Sequence, residues 1–402
     1  MTILILRKIK SISLFIYSLI FYFLLILIRP LVIIRLGEIE TRAIGHYFLP
    51  FEIYLSEKDS GFLTGLPRTA DFFYRNKVIA NEYIYRAWKK YINIAPALII
   101  KHPYLFLIKN NPKTRHLVPF RTWRLYRPWQ LRDIHNSLPN SKIHFEFSQD
   151  ELNFAEGELK KLGLSNGDQY IAFFARDPQF HGGSSTRPSF RDSDITTQID
   201  AMEEMVKLGY KCIRMGKNAR NRLGGESKNI IDYAFSPLRS DLLDLYILSK
   251  CKFMVSTGSG IDTIPMVFRK PVLYVNFSEW GHMDCVGINQ VPLFIPKKFF
   301  YVSNKKYLST TEICKLGVYQ YSSEKEYIDN DVWWEDNTSQ EIMDAVLEME
   351  LLVGKNNSKC HTGYSENQEN FSQLVNSLRS PELVIEAKIS HAFLNANPHY
   401  LR

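Results

Sequence analysis

From residue 151 onward, short apolar runs alternate with amphipathic ones, and this alternation limits the possible folds more than any other feature of the chain. Residues 170–175, 211–215, 253–255 and 272–275 read as strands, with Ile230 and Ile231 as a short further one. Between them, 151–161, 241–248 and 261–268 read as helices, and Asp194 caps another that carries Ile195, Ile199, Met202 and Val206 at helical spacing. Strands alternating with helices imply a parallel sheet with right-handed crossovers. Such sheets bind ligands at the C-terminal ends of their strands. That rule selects loops 176–191, 216–225, 256–260 and 276–282, the last opening on Asn276.

Two of these loops carry most of the chemistry. Arg176 and Asp177 directly follow the strand 170–175. A guanidinium there can clamp a diphosphate through two parallel hydrogen bonds. Asp177 can orient Arg176 or act as a base, or the pair can be a local ion pair and nothing more. Ser256, Thr257, Gly258, Ser259 and Gly260 stand between a strand and a helix. Small residues let the backbone approach a ligand, and hydroxyls beside helix-terminal N–H groups suit a phosphate. A tight turn without a ligand is the plainer alternative. The loop lacks the Lys of a Walker motif and the spacing of a dinucleotide fingerprint. Arg187 and Arg191 lie on the 176–191 loop, where Gly182, Gly183, Ser184 and Ser185 suggest a segment able to close over a substrate. Arg214 and Lys217 bracket Gly216 at the next strand end. Cations converging on one rim suit a leaving nucleoside diphosphate, whose developing charge needs stabilising.

The first 150 residues are harder to read. Residues 31–36 read as a strand ended by Gly37, and 78–91 has helical spacing with Ile84, Ala87, Trp88 and Tyr91 on one side. His46, after Gly45, and Glu52 follow the first strand. Both residue types can deprotonate an acceptor hydroxyl, although a lone His is more often structural.

The net charge of +8 favours phosphate-bearing or anionic-lipid partners, and no nucleic-acid signature is present. Cysteines stand at 212, 251, 285, 314 and 360 without a CxxC pair, which supports neither a disulfide framework nor a zinc site. Asp192-Ser193-Asp194 mimics a metal-binding DxD, yet its place at a helix start favours capping. No metal is expected.

The N-terminus departs from a soluble pattern. Arg7, Lys8 and Lys10 precede the apolar run 11–28, closed by Arg29 and Pro30. Its 18 residues would span about 27 Å as a helix, just short of a bilayer's hydrocarbon core. A signal peptide, a single span, a helix embedded in one leaflet and a buried soluble helix are all compatible with it. No small-x-small cleavage site follows Ile28.

Taken in order, several segments resemble a family of bacterial glycosyltransferases associated with surface-polysaccharide synthesis. They are Ile44-Gly45-His46 with Glu52, Asn81 with Trp88, Phe174 to Asp177, Phe190-Arg191-Asp192 with Asp194, Gly209 to Gly216, Asp241-Leu242 onward to Ser259-Gly260, Pro271 to Asn276, Asn337 to Ile342, and Glu348-Met349. The resemblance covers about residues 35–350 and a final helix ending near Phe393 and Leu394. It implies a GT-B-like α/β fold, with two Rossmann-like domains facing a cleft, and a metal-independent reaction. Its donor site is similar to that of fucosyltransferase-like members. It also implies that Arg176, Arg214, Ser256, Thr257 and Ser259 contact a nucleotide-sugar, with Gly45 and His46 on the opposite lip. The chain departs from the family pattern at Asp192, where the pattern has Asn. If that Asn contacts ligand, Asp192 changes the contact.

The sequence therefore predicts four regions: a membrane-associating helix over 1–30, an acceptor-side domain over 31–150, a nucleotide-sugar domain over 151–350, and a linker and helix over 351–402 returning to the first domain. The expected activity is hexosyl or fucosyl-like transfer from a nucleotide-sugar, a substrate rather than a cofactor, to a glycan or lipid-linked acceptor. Nucleotide-sugars form a cytoplasmic pool, so the expected location is the cytoplasmic face of the inner membrane. Two rivals stand: an epimerase or hydrolase on the same fold, and a non-catalytic membrane-anchored assembly subunit.

Overall fold

The computed structural model describes residues 2–61, 68–118, 133, 135–165, 167–178, 189–217, 219–224, 227–280, 293–354, 365–378 and 387–402. Contacts divide the chain into two compact units, Met1–Glu146 and Phe147–Arg402. The first runs α1 (Thr2–Ile28), β1 (Ile33–Ile39), α2 (Phe48–Asp59), β2 (Thr69–Arg75), α3 (Glu82–Trp88), β3 (Asn93–Ile94) and α4 (Ala97–Asn110). Its three strands pair in parallel in the order β1-β2-β3.

Gly37 was expected to end the first strand. It lies inside β1 instead, because a side chain there would meet the Phe73 ring of β2 at 2.6 Å. The missing Cβ lets that ring cross the strand. Arg35 of β1 donates to both carboxylate oxygens of Asp71 of β2, at 2.5 and 2.6 Å, and the Tyr54 hydroxyl of α2 donates to the same carboxylate. All three are buried, so the pair is satisfied as a buried ion pair must be.

The second unit contains α5 (Gln149–Lys161), β4 (Tyr170–Phe173), α6 (Ile199–Lys207), β5 (Lys211–Arg214), β6 (Ile230–Ile231), α7 (Asp241–Lys250), β7 (Met254–Ser256), α8 (Thr263–Val267), β8 (Val272–Phe277) and β9 (Leu293–Pro296). It continues with β10 (Lys298–Tyr301), α9 (Thr310–Leu316), α10 (Glu324–Asp329), β11 (Val332–Glu335), α11 (Ser339–Gly354), α12 (Glu366–Ser377), β12 (Lys388–Ile389) and α13 (His391–Ala396). Seven strands form one sheet in the order β12-β9-β8-β7-β4-β5-β6, every neighbouring pair parallel. Local chemistry sets its elements. Ser148 and Glu151 form a capping box that starts α5, and Ser240 rather than Asp241 caps α7. The strands β4, β7 and β8 are buried throughout, as strands covered on both faces must be.

This order places a topological switch between β4 and β7. From β4 the chain moves outward to β5 and β6, and from β7 it moves the other way to β8 and β9. Crevices at such points lie beyond the carboxyl ends of the strands.

The C-terminal segment differs from its expectation. Residues 351–402 were expected to be a linker and a helix returning to the first domain. They form part of the second unit: β12 adds an edge strand beside β9, and the Tyr400 hydroxyl bonds the Lys297 carbonyl at 3.0 Å. The polar stretch before it holds α12, started by a Ser365–Gln368 capping box, and the last helix begins at His391 because Ser390 caps it.

Candidate functional site

The site is built where β4 and β7 end. The Arg176 N–H donates to Thr257 Oγ1 at 2.9 Å, joining the two loops across the switch. Thr257 is buried, and Gly258 follows it with φ of 87°, a left-handed conformation that Gly adopts freely. A Cβ on Gly258 would meet the Phe277 ring at 2.8 Å, so glycine is also required by packing.

Around this bond several charged side chains converge. Arg176 is buried, and its Nε lies 3.6 Å from Asp192. Arg191 Nε pairs with Glu279 at 2.6 Å, and its Nη2 donates to the Gly258 carbonyl at 3.3 Å. Lys297, fully buried just past β9, donates to the Asp192 carbonyl at 3.0 Å and to the Asp336 carboxylate. Burial pushes the Asp192 carboxyl above its ordinary value, while Arg176 and Lys297 pull it back and Asp177 pushes it further up. Burial lowers the Lys297 ammonium, against the opposing pull of Asp336. Three cations and three acidic side chains, Asp192, Glu279 and Asp336, therefore meet at one set of strand ends.

Several sequence-selected residues have other work. Arg214 is buried and donates to the Asn221 carbonyl at 2.6 Å, with Asp232 at 3.4 Å and the Phe235 ring at 5.5 Å. In this arrangement it secures the loop after β5. Gly216 turns that loop with φ of 147°, and Lys217 is exposed on it. Asp177 accepts the Arg220 N–H at 2.9 Å, so it ties this loop to the end of β4.

Asn276 is fully buried. Its N–H donates to the Asn337 side chain at 2.6 Å, the Asn337 N–H returns to it at 2.5 Å, and its amide donates to Ser193 at 2.7 Å. That is a lock between loops at the end of β8.

The Ser256–Gly260 loop is more self-contained than expected. Ser256 Oγ donates to Asp262 Oδ1 at 2.5 Å, and the Ser259 N–H donates to Asp262 Oδ2 at 2.6 Å. Asp262 thus takes donors that a phosphate would have used. Asp194 caps the helical turn after it, accepting the Thr196 N–H at 2.9 Å. Arg187 and the glycine-serine run 182–185 lie outside the described residues.

In the first unit, His46 is half-buried on a short helical turn. Glu52 is fully buried on α2 and accepts the His144 N–H at 3.3 Å, with the His144 ring 3.4 Å away. A carboxylate enclosed in this way cannot reach an acceptor hydroxyl, so Glu52 leaves the list of bases.

The sequence reading missed Lys297, Asp262 and Glu279, and gave Asp192 a capping role with a conditional ligand contact. Lys297 carried a signal: it follows a short apolar run at a strand's C-terminal end, where the same rule that selected Arg176 applies. Asp192 carried one too, as the departure from the family pattern.

No protein-family model matches the chain, and no curated protein matches it. Among solved structures, the chain is similar to a glycosyl transferase family 9 protein from Veillonella parvula. The TM-score is 0.41 at 11% identity, over 79% of this chain and 97% of that one. It is similar to ADP-heptose lps heptosyltransferase II of E. coli at 0.36 and 10%, over 60% and 85%. It is also similar to E. coli heptosyltransferase WaaC with ADP-2-deoxy-2-fluoro heptose at 0.32 and 13%, over 64% and 94%. Likeness at these scores fixes neither the chemistry of this chain nor its family.

The cluster itself limits what can happen there. Buried, oriented cations stabilise negative charge that develops in a reaction, without reorganising. Each cation already has a carboxylate partner, so an entering anion must displace one or bind as that carboxylate takes up a proton from solvent. Asp192, raised by burial, is the carboxyl best suited to take a proton. Among the described residues no cluster of His, Cys, Asp and Glu could hold a metal ion. The concavity lined by Phe300, Val302, Lys305, Asp331 and Trp333 lies on the antiparallel β10–β11 pair.

Proposed function

We propose that this chain is a glycosyltransferase of the GT-B class that uses a nucleotide-sugar donor bound at the switch between β4 and β7. The observation that carries the reading is the Arg176–Thr257 bond across the switch, with Arg176, Arg191 and Lys297 gathered beside it. In the proposed reaction an acceptor hydroxyl displaces the nucleoside diphosphate at the anomeric carbon. Arg176 and Arg191 stabilise the leaving diphosphate, and Lys297 positions the loop that holds Asp192. The acceptor proton passes to Asp192 or Asp177. No observation in the site favours a hexosyl or a fucosyl donor. A glycan or lipid-linked acceptor at the cytoplasmic face of a membrane fits the apolar α1 and the motif resemblance to surface-polysaccharide enzymes.

Arg176→Ala tests the reading directly. Transfer should fall by a factor of ten to a hundred or more, the worth of a charge-assisted contact of about 1.5–3 kcal/mol. Undiminished transfer by that variant sinks the donor-site assignment. An epimerase or hydrolase would form product without any acceptor.

One observation favours the second reading, a non-catalytic assembly subunit. Every cation in the cluster is paired, and Asp262 fills the small-residue loop. That subunit would bind no nucleoside diphosphate.

A further inference from the structure

Helix α1 is the most apolar segment of the chain, with mean hydropathy 2.5 over its best window and little of it buried. Its contacts follow one stripe. Leu14, Ser18, Phe21, Tyr22 and Leu25 are the residues shielded from solvent, and they recur at helical spacing. The stripe rests on α4. Tyr17 donates to the Ile99 carbonyl at 2.7 Å, Phe15 stacks edge-on with Phe106 at 5.5 Å, and the Tyr22 hydroxyl accepts from Asn111 at 3.0 Å. Leu25 enters the core formed by Leu36, Tyr74, Ile100, Tyr104 and Leu107.

This docking bears on how the helix can meet a bilayer. From Leu14 onward α1 is attached to the first unit. The remaining 12 residues, 2–13, would rise about 18 Å, well short of a hydrocarbon core of roughly 30 Å. They also hold Arg7, Lys8 and Lys10. Immersing the attached half instead would carry Lys101 and Lys109, both exposed on α4, into hydrocarbon.

The placement of charge points the same way. At about 3.6 residues per turn, Arg7 falls in line with Ser18 and Leu25, Lys10 with Leu14 and Phe21, and Lys8 with Phe15 and Tyr22. All three cations thus lie toward the protein-facing side. The opposite side carries Ile9, Ile16, Ile20, Phe23 and Leu27, each at least half exposed. The polar exception there, Ser13, returns its hydroxyl to the Ile9 carbonyl at 3.0 Å. Leu98, 86% exposed, precedes Ile99, whose carbonyl the Tyr17 hydroxyl bonds, and adds a further exposed apolar side chain near α1.

We propose that α1 lies in the plane of one leaflet of an anionic bilayer and does not span it. Its outer face, with Leu98, enters the acyl boundary, and Arg7, Lys8 and Lys10 meet lipid phosphates at headgroup level. The inference rests on the membrane-surface reading above and specifies its geometry.

The test uses the full chain with vesicles of phosphatidylglycerol and phosphatidylethanolamine, and with pure phosphatidylcholine. Flotation should show binding to the anionic vesicles that weakens with salt. The R7E/K8E/K10E variant should bind at least about a hundredfold more weakly, from the loss of three cations at roughly fivefold each with repulsion added. These positions lie outside the packed stripe's contacts, and an unchanged melting temperature checks folding. A fluorescent amino acid at Ile9, Ile16 or Phe23, quenched by nitroxide lipids at two depths, gives the orientation. Equal, shallow depth at all three supports the in-plane helix. A deep central position flanked by two shallow ones overturns it while leaving membrane association intact. Failure to bind either vesicle, with α1 instead pairing two copies into a dimer, overturns both.

Discussion

Arg176 and Thr257 are joined by a 2.9 Å hydrogen bond from the backbone of one to the hydroxyl of the other, at the point where the sheet reverses its direction of growth. Arg191, donating to the Gly258 carbonyl at 3.3 Å, is a second tie between the same loops. Thr257→Val removes the acceptor and leaves a buried N–H without its partner, at a cost of about 1–3 kcal/mol. The melting temperature should fall by several degrees, at roughly 2–4 °C per kcal/mol for a unit of this size. Thr257→Ser, which keeps the hydroxyl, should recover most of the loss. Equal melting of wild type and Thr257→Val would remove the bond from the account.

Gly37→Ala tests the packing of the first sheet. The new methyl would press on the Phe73 ring at 2.6 Å inside a buried strand pair. Overpacking of this kind costs about 1–3 kcal/mol. Chemical denaturation should show that loss, and adding Phe73→Leu should restore part of it. Full stability in the single variant would contradict the close approach.

Asp244 on α7 gives a pH signature. Burial raises its carboxyl to about 6, although Arg239, 3.1 Å away, opposes the rise. An unfolded Asp titrates near 3.9. The folded state therefore binds the proton more tightly, and this group's contribution is fully present below pH about 3.9. It is lost as pH rises through about 6, an upper bound of about 3 kcal/mol. Melting curves of wild type should decline over that window, and Asp244→Asn should decline less. Parallel curves for the two proteins would rule out Asp244 as the source.

Asp192 is the carboxyl whose role the geometry changes most. As the proton acceptor, its Asn variant should lose about a hundredfold or more in kcat, with donor affinity kept within a few fold. The acid limb of the pH–rate profile should vanish with it. Were Asp177→Asn to show that behaviour and Asp192→Asn not, the proton would pass to Asp177.

The second sheet was legible because each of its strands is short, apolar and bounded by turn residues, so period and punctuation agree. β9 and β12 were not. Leu293 to Pro296 is a four-residue run preceded by Pro292 and ending on a proline, and Lys388–Ile389 is too short to show a period. Of the site, Arg176 and the small-residue loop were readable from position after a strand. Lys297 and Glu279 were not singled out, since their meaning comes from Asp336, Asp192 and Arg191, which lie far from them in sequence. The same cause explains Arg214. It has the chemistry of a phosphate clamp, and only the fold reveals that Asn221 and Asp232 already hold it.

The central claim is that the β4–β7 switch binds a nucleoside diphosphate. Isothermal titration of the full chain with UDP, GDP and ADP, and with CMP as a monophosphate control, tests it most directly, in wild type and in Arg176→Ala. The account predicts saturable binding of one of the three diphosphates to wild type and at least a tenfold loss in the variant. No binding by any of the three, or equal affinity in both proteins, would contradict it.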